Sequence, residues 1–450
     1  MSTQAGPIKE SNRILSLDVA RGFALLGIFL VNISLMAAPL GELTYNAPMP
    51  EEGALSQTIF YAVRTFFEGK TYPLFSMLFG IGLAMQFMRS REKGTGYYPR
   101  IIRRQIALIL IGLAHVILLW YGDILFTYGI VGLITLACIR LPARWLTAIA
   151  GICLALAVIS GVGMSALGAY GIEQTQRQAQ TEAVQQPETV LEKSTTETKS
   201  ESLTPFAKLM KGFAENEVQD PKDPIWQDNE IIATRDGPFT QALLFRLMAW
   251  IGVIIFGMAL AGGFFHILAI FLIGAAIWKA DILGPKHAAL RKKLTILFGI
   301  IGIPASAYIA TFNIIHPNAS PYLSAVVPIA VYVFGPIVSL FYLFGIASIV
   351  DMGILKPLQN AFANAGRLAL TNYLSQTFLA SILFAFWGLG MFGSVDRPMR
   401  MVIVLSIFIL QIAFSALWLK AFKIGPLEWL LRTITYLKPQ QIRRTPTQTD

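Results

Sequence analysis

Nine runs of about 20 apolar residues punctuate this chain, and each is long enough to cross a hydrocarbon core of about 30 Å as an α-helix. They cover roughly 16–38, 70–89, 104–121, 122–139, 144–168, 292–313, 322–349, 367–388 and 399–419. Lipid cannot satisfy backbone N–H and C=O groups, so segments of this kind must bond internally. The expected class is therefore all-α, a polytopic membrane helix bundle. Composition agrees: 14% charged residues, against about 25% in soluble domains, leaves too little polar surface to face water. Cys138 and Cys153 both sit in apolar runs without ligand spacing, which excludes a disulfide scaffold or a CxxC site. No Walker, dinucleotide, zinc or GxSxG pattern occurs, so no bound metal or cofactor is expected.

Orientation follows from where Lys and Arg cluster, since they concentrate on the cytoplasmic side of short loops. Arg89, Arg91, Lys93, Arg100, Arg103 and Arg104 place the second loop inside, and Arg140 with Arg144 does the same for the fourth. The first loop carries Glu42, Glu51 and Glu52 without Lys or Arg, and is outside. Residues 241–281 read either as two crossings or as one crossing preceded by a re-entrant or interfacial helix. Lys279, Lys286, Arg291, Lys292 and Lys293 require an inside loop, which favours one net crossing, with Gln241–Leu260 as the odd piece. The expectation is ten transmembrane helices with both termini cytoplasmic. The net charge of +10 is thus chiefly a topology signal in an apolar chain, and nucleic acid is set aside as a partner in favour of the lipid bilayer.

Four regions follow: a five-span bundle over 1–168, an acidic extracytoplasmic insert over 169–240, a second five-span bundle over 241–420, and a basic cytoplasmic tail over 421–450. Residues 171–237 hold 13 acidic against 7 basic side chains. The first part, to about Thr204, is read as flexible or as a fraying helical extension, because it has little apolar surface to bury. The second part carries Phe206, Leu209, Met210 and Phe213 at helical spacing, consistent with a helix lying on the membrane surface.

Ionisable groups within a membrane are costly and mark candidate sites. Asp18 and Arg21, three apart on one helix face, can pair as an interfacial anchor, or Arg21 can bind an anion such as a phosphate. Arg367, in Gly366-Arg367-Leu368-Ala369-Leu370-Thr371-Asn372-Tyr373, is a second Arg at a cytoplasmic helix start. Asn32 lies roughly 16 Å beyond Arg21 along the first span, in its outer half, where an amide often bonds a neighbouring helix. His115 and Asp123 are the sharpest pair, a histidine near the outer end of one span and an aspartate at the turn into the next. A histidine base oriented by a carboxylate is the usual proton-transfer arrangement at neutral pH. Eight residues separate them, so Asp123 reaches His115 only if the helix ends early or a bound group bridges them. Arg64, Glu68 and Lys70 read as a salt-bridged turn or as the rim of an outer pocket around that pair. His266, alone in an apolar run, reads as a packed histidine.

The stretch Leu17-Asp18-Val19-Ala20-Arg21-Gly22-Phe23-Ala24-Leu25-Leu26-Gly27-Ile28 with Asn32 resembles the YeiB-like family of bacterial inner-membrane proteins. So do Phe75 to Gly82, His115 with Gly122-Asp123-Ile124-Leu125, and Gly366 to Tyr373 with Gly425-Pro426-Leu427-Glu428-Trp429. The resemblance covers nearly the whole chain apart from the insert. By fold and first-span pattern it is similar to the transmembrane acyltransferase superfamily, which moves acyl groups from cytoplasmic acyl-CoA to acceptors on the far side of the membrane. The resemblance implies acyl-CoA as co-substrate, an envelope glycan or small molecule as acceptor, and a multi-pass protein of the bacterial inner membrane. Related sugar O-acyltransferases carry a histidine eleven residues after an Arg or Lys of the first span; here that position is Asn32, and an amide is no base. The related lysosomal N-acetyltransferase uses a histidine of the first outer loop, and residues 39–55 contain none.

The expected site therefore has His115 and Asp123 as catalytic residues. Arg21, Arg367, Asn32, Asp18, Glu68, Lys70 and Asn372 would bind donor or acceptor. Two other classes fit the same residues: a transporter or permease for a small anionic solute, and a non-catalytic membrane scaffold.

Overall fold

A computed structural model describes residues 14–44, 53–92, 98–185 and 224–444. The first half is built from α1 (Leu15–Ala37), α2 (Leu40–Thr44), α3 (Ala54–Phe66), α4 (Thr71–Glu92), α5 (Tyr98–Leu118), α6 (Leu125–Cys138) and α7 (Ala143–Gln185). After the insert come α8 (Pro224–Ile231), α9 (Phe239–Gly252, continued as a π-helix over Val253–Leu260), α10 (Gly263–Lys279), α11 (Ala288–Ile315), α12 (Pro321–Val326) and α13 (Val331–Met352). Then follow α14 (Lys356–Arg367), α15 (Ala369–Phe384), α16 (Arg397–Ala421) and α17 (Pro426–Tyr436). The protein is a polytopic helical bundle. Eight of its described helical stretches are long and apolar enough to cross a membrane, and α6 and α10 are shorter apolar helices in addition to these.

Large apolar side chains on the outside of the bundle include Leu110, Ile159, Ile300, Leu410 and Leu417, each at least 60% exposed. A surface of that kind is stable against hydrocarbon and not against water. Inside, the principal core gathers Leu25, Leu74, Met77, Leu78, Phe271 and Leu272 between α1, α4 and α10. A second core joins Phe29, Ile33, Trp120, Phe245, Phe384 and Phe392.

Several contacts define the two ends of the bundle. Lys279 Nζ donates to the carbonyls of Ile139 (2.5 Å) and Leu141 (2.6 Å), tying the end of α10 to the α6–α7 turn that carries Arg140. At the same end Arg291 pairs with Asp351. At the opposite end Glu42 pairs with Arg397 (2.7 Å) and Arg400 (2.8 Å), and Gly393 N–H donates to Ala37 O (2.8 Å).

The segment that reads ambiguously in sequence starts and finishes at that second end. Just before α9, Thr234 O accepts from Phe386 N–H (2.8 Å), and just after its π-helical continuation, Ala261 O accepts from Tyr332 Oη–H (3.2 Å). Midway, Arg246 Nη1 donates to the carbonyls of Leu118 and Leu119 at the end of α5. Gly262, with φ of +81°, then breaks the helix where Ala157 presses on it, a position where a Cβ has no room.

Several boundaries differ from the hydropathy runs. α5 stops at Leu118 rather than 121, and α6 starts at Leu125 rather than 122, because residues 119–124 form a turn capped by Asp123. α7 continues as helix to Gln185, so the insert begins as an extension of a span. The proposed surface helix with Phe206, Leu209, Met210 and Phe213 lies outside the described residues. In the insert's last part, α8 buries Trp226, Asn229 and Glu230. Three amphipathic or short helices, α3, α14 and α17, have no counterpart among the apolar runs.

Candidate functional site

His115 stands one turn from the end of α5 and is 3% exposed. Asp123 folds back from the following turn so that its Oδ2 lies 2.8 Å from His115 Nδ1. Its other oxygen accepts from Phe126 N–H at 2.7 Å, capping the first turn of α6. A cap and an imidazole thus share one carboxylate, which fixes both the turn and the ring. The helix does end early, and no bridging group is needed. Gly112 makes the fold-back possible, since a Cβ there would collide with Asp123 Oδ1 and the backbone nitrogen of Phe126.

With Nδ1–H directed at a carboxylate, the imidazole presents its lone pair at Nε2. Nε2 is buried and has no partner among the described residues. The Tyr373 ring lies beside the imidazole, centroid to centroid 5.6 Å. The arrangement is an oriented base within a largely apolar surround, able to take a proton from a hydroxyl or amine brought to Nε2.

Tyr373 belongs to α15, where Thr377 and Ser381 follow at i+4 and i+8 and are buried as well. On its other face α15 is clasped to α16 by a polar ladder. Asn372 Nδ2 donates to Ala365 O (2.9 Å) and Ser415 Oγ (3.1 Å), Gln411 Nε2 to Asn372 O (2.9 Å) and Ser375 Oγ (2.7 Å), and Gln376 Nε2 to Gln411 Oε1 (3.0 Å). Asn372 therefore holds two helices together, one residue from the tyrosine that flanks the base.

Arg21 and Arg367 lie on neighbouring helices. Gly366 packs against the Asp18 carbonyl and Gly22 against the Phe362 carbonyl, so α1 and α14 touch backbone to backbone where these arginines sit. Arg21 Nη1 is bonded to Asp18 Oδ1 at 2.6 Å, with the Arg21 side chain 29% and the Asp18 side chain 8% exposed.

Three expected members stand elsewhere. Lys70 is 2% exposed, donates to Arg64 O (2.6 Å), and its own carbonyl accepts from Ser339 Oγ (2.5 Å) on α13. Glu68 pairs with Arg64 at 3.2 Å. Both belong to the α3–α4 turn and neither bonds His115 or Asp123; the turn's own hydrogen-bonding needs capture them. Asn32 is half-buried on α1 and makes no hydrogen bond to that pair. His266 is a packed histidine, its Nδ1 3.0 Å from Tyr72 Oη and its Nε2 3.0 Å from Tyr332 O. Tyr373, absent from the expected site, carries one signal in the sequence: polar residues at i, i+4 and i+8 in an apolar helix.

Residues 277–438 match a family model described as a protein of unknown function, DUF418. Over nearly its full length the chain is similar to three bacterial proteins. It is 26% identical to the uncharacterized protein YxaH of Bacillus subtilis (strain 168), with 97% of this chain and 98% of the relative covered. It is 28% identical to the uncharacterized protein YeiB of Escherichia coli (strain K12), covering 94% and 96% respectively. It is 26% identical to an uncharacterized 39.9 kDa protein of Bacillus acidopullulyticus, covering 96% of each. No solved structure matches the chain.

Proposed function

We propose that the chain is a YeiB-like acyltransferase of the bacterial inner membrane, with ten crossings and both termini cytoplasmic. It would pass an acyl group from cytoplasmic acyl-CoA to an acceptor, an envelope glycan or a small molecule, on the outer side. The observation that carries this reading is the His115–Asp123 pair, with Nδ1 held at 2.8 Å and Nε2 buried without a partner among the described residues. In the proposed step Nε2 takes the acceptor's hydroxyl proton as its oxygen attacks the thioester carbonyl. The C–O bond forms, the C–S bond breaks, and the imidazolium returns its proton to the departing thiolate. Asp123 keeps the ring in the required tautomer and stabilises the imidazolium. Arg21 and Arg367, at the α1–α14 contact, are assigned to the phosphates of the donor.

Purified protein should bind acetyl-CoA saturably. Arg21→Ala should weaken that binding, while His115→Ala should leave it within about threefold and reduce transfer of labelled acetyl into envelope material by about 10²–10⁴-fold. Absence of saturable binding of acetyl-CoA and of longer acyl-CoA by the wild type would overturn the enzyme reading. The buried polar ladder of Asn372, Gln376 and Gln411 supports a second reading as a permease, in which acyl-CoA does not bind and a small anion crosses.

A further inference from the structure

At the end of the bundle opposite the basic loops, α8, α9, the 119–121 turn, α15 and the segment after it enclose a cavity of about 40 Å³. Arg246 lines it and is 8% exposed. Its Nη1 is spent on the carbonyls of Leu118 (3.4 Å) and Leu119 (3.3 Å), and the guanidinium carbon lies 5.4 Å from the centre of the Phe239 ring. Nε and Nη2 are buried and have no partner among the described residues. These two nitrogens form one edge of the guanidinium fork, the edge that matches two oxygens of a carboxylate or phosphate. Trp120 Nε1 and Tyr121 Oη line the same cavity and are also buried without a partner among the described residues.

Glu230, 1% exposed, completes the lining and receives Leu40 N–H at 2.9 Å. Burial pushes its carboxyl up to about 8, against the opposing pull of hydrogen bonds from Leu40 and Trp226. At neutral pH it is mostly protonated, a donor rather than a counter-charge. The Tyr121 phenol is held protonated chiefly by burial, and an ionised Glu230 would add to that. The free groups of the cavity are thus donors, beside one cation with no ion-pair partner among the described residues. Unpartnered buried donors and an unpaired buried charge are costly, so the lining is complementary to an anionic acceptor.

We propose that this cavity binds the head of a singly charged oxyanion, a carboxylate or a phosphodiester, with Arg246 as its charge partner and Trp120 and Tyr121 as orienting donors. One cation among otherwise neutral donors sets the charge. The volume, room for about three water-sized groups, admits the head alone. The site stands on these side chains and is independent of acyl transfer at His115.

Thermal unfolding of the protein in neutral detergent tests it. Chloride, acetate and inorganic phosphate are compared at matched ionic strength, and phosphatidylglycerol is compared with diacylglycerol, which lacks the phosphate. Acetate, phosphate or phosphatidylglycerol should raise the wild-type midpoint saturably by about 3 °C or more, because a ligand of the native state stabilises by mass action. A response to acetate or phosphate identifies a soluble ligand, and a response to phosphatidylglycerol alone a lipid head. Arg246→Gln should abolish the response, and Tyr121→Phe, which deletes one oxygen, should weaken half-saturation roughly tenfold. Should Arg246→Gln not fold, Tyr121→Phe decides. No response from the wild type in any arm, or half-saturation unaltered by the substitutions, overturns the proposal.

Discussion

Buried polar groups in this protein divide by whether the chain itself answers them. Asp123 is answered twice, by His115 and by Phe126 N–H, so His115 is oriented at little cost. Glu230 is answered only in part and stays buried mainly by remaining protonated. Its carboxyl lies at about 8 in the folded protein against an ordinary value of 4.5, so between those limits the folded state holds a proton that the unfolded state releases. Stability supplied by this group is therefore full below pH 4.5 and is lost as pH rises toward about 8. The slope approaches about 1.4 kcal/mol per pH unit inside that window. Glu230→Gln, which keeps the shape without the titration, should flatten the fall of the unfolding midpoint between pH 5 and 8 measured in detergent; an unchanged slope would show that Glu230 ionises freely. Both His115 and Asp123 could be singled out from sequence, because a charge inside an apolar run is conspicuous. Glu230 could not, since it stands in an acidic stretch where a buried carboxylate and a solvated one look alike.

At the level of helices, the contacts explain two of the motifs that carry the family resemblance. Glu428, in Gly425-Pro426-Leu427-Glu428-Trp429, reaches from α17 to the start of α15. There its oxygens accept from Leu370 N–H (2.6 Å), Thr371 N–H (3.2 Å) and Thr371 Oγ1–H (2.6 Å). A helix that must start abruptly after the break at Leu368 leaves its first N–H groups open, and a neighbouring helix supplies the cap. Because α15 carries Tyr373, this cap also sets the wall against which His115 rests. Glu428→Ala should cost about 2 kcal/mol through lost cap bonds and stranded donors. Glu428→Gln, which retains one acceptor oxygen, should cost about half as much in mixed-detergent unfolding. Equal stability of Glu428→Ala and wild type would remove the cap from this account. Helices defined by apolar runs were legible in the sequence as elements, but not always in their bounds: α7 runs past its apolar run to Gln185, and α13 starts only at Val331. Helices α3, α14 and α17 were not, because their faces are half polar and no length of hydrocarbon marks them. The point where α5 ends was hidden for the opposite reason: Leu118, Leu119, Trp120 and Tyr121 are all apolar or aromatic, so only Gly122-Asp123 marks the turn and nothing marks where the helix stops before it.

For the molecule as a whole, the unresolved arithmetic of the sequence is the parity of crossings between the insert and Lys286. Charge alone argued for one crossing over 241–281, and the contacts give that inference a mechanism. The 22-residue stretch Phe239–Leu260 is apolar enough to span, yet the residues flanking it, Thr234 and Ala261, bond Phe386 and Tyr332 at the same end of the bundle. Only α10 then runs to the opposite end, where Lys279 meets the α6–α7 turn. Length and apolarity cannot separate a spanning helix from one that lies along an end of the bundle, whereas partners at its termini can. The same lodging places Arg246 against the end of α5, so the odd piece is also what closes the oxyanion cavity. A pair of single cysteines in a background lacking Cys138 and Cys153 tests this parity directly. Asp228→Cys on α8 and Lys286→Cys beyond α10 are both exposed positions. One net crossing predicts that an impermeant thiol reagent labels residue 228 in intact cells and residue 286 only after lysis. If both are labelled from the same side, Phe239–Leu260 crosses the membrane, and the positive-inside assignment of every later span reverses with it.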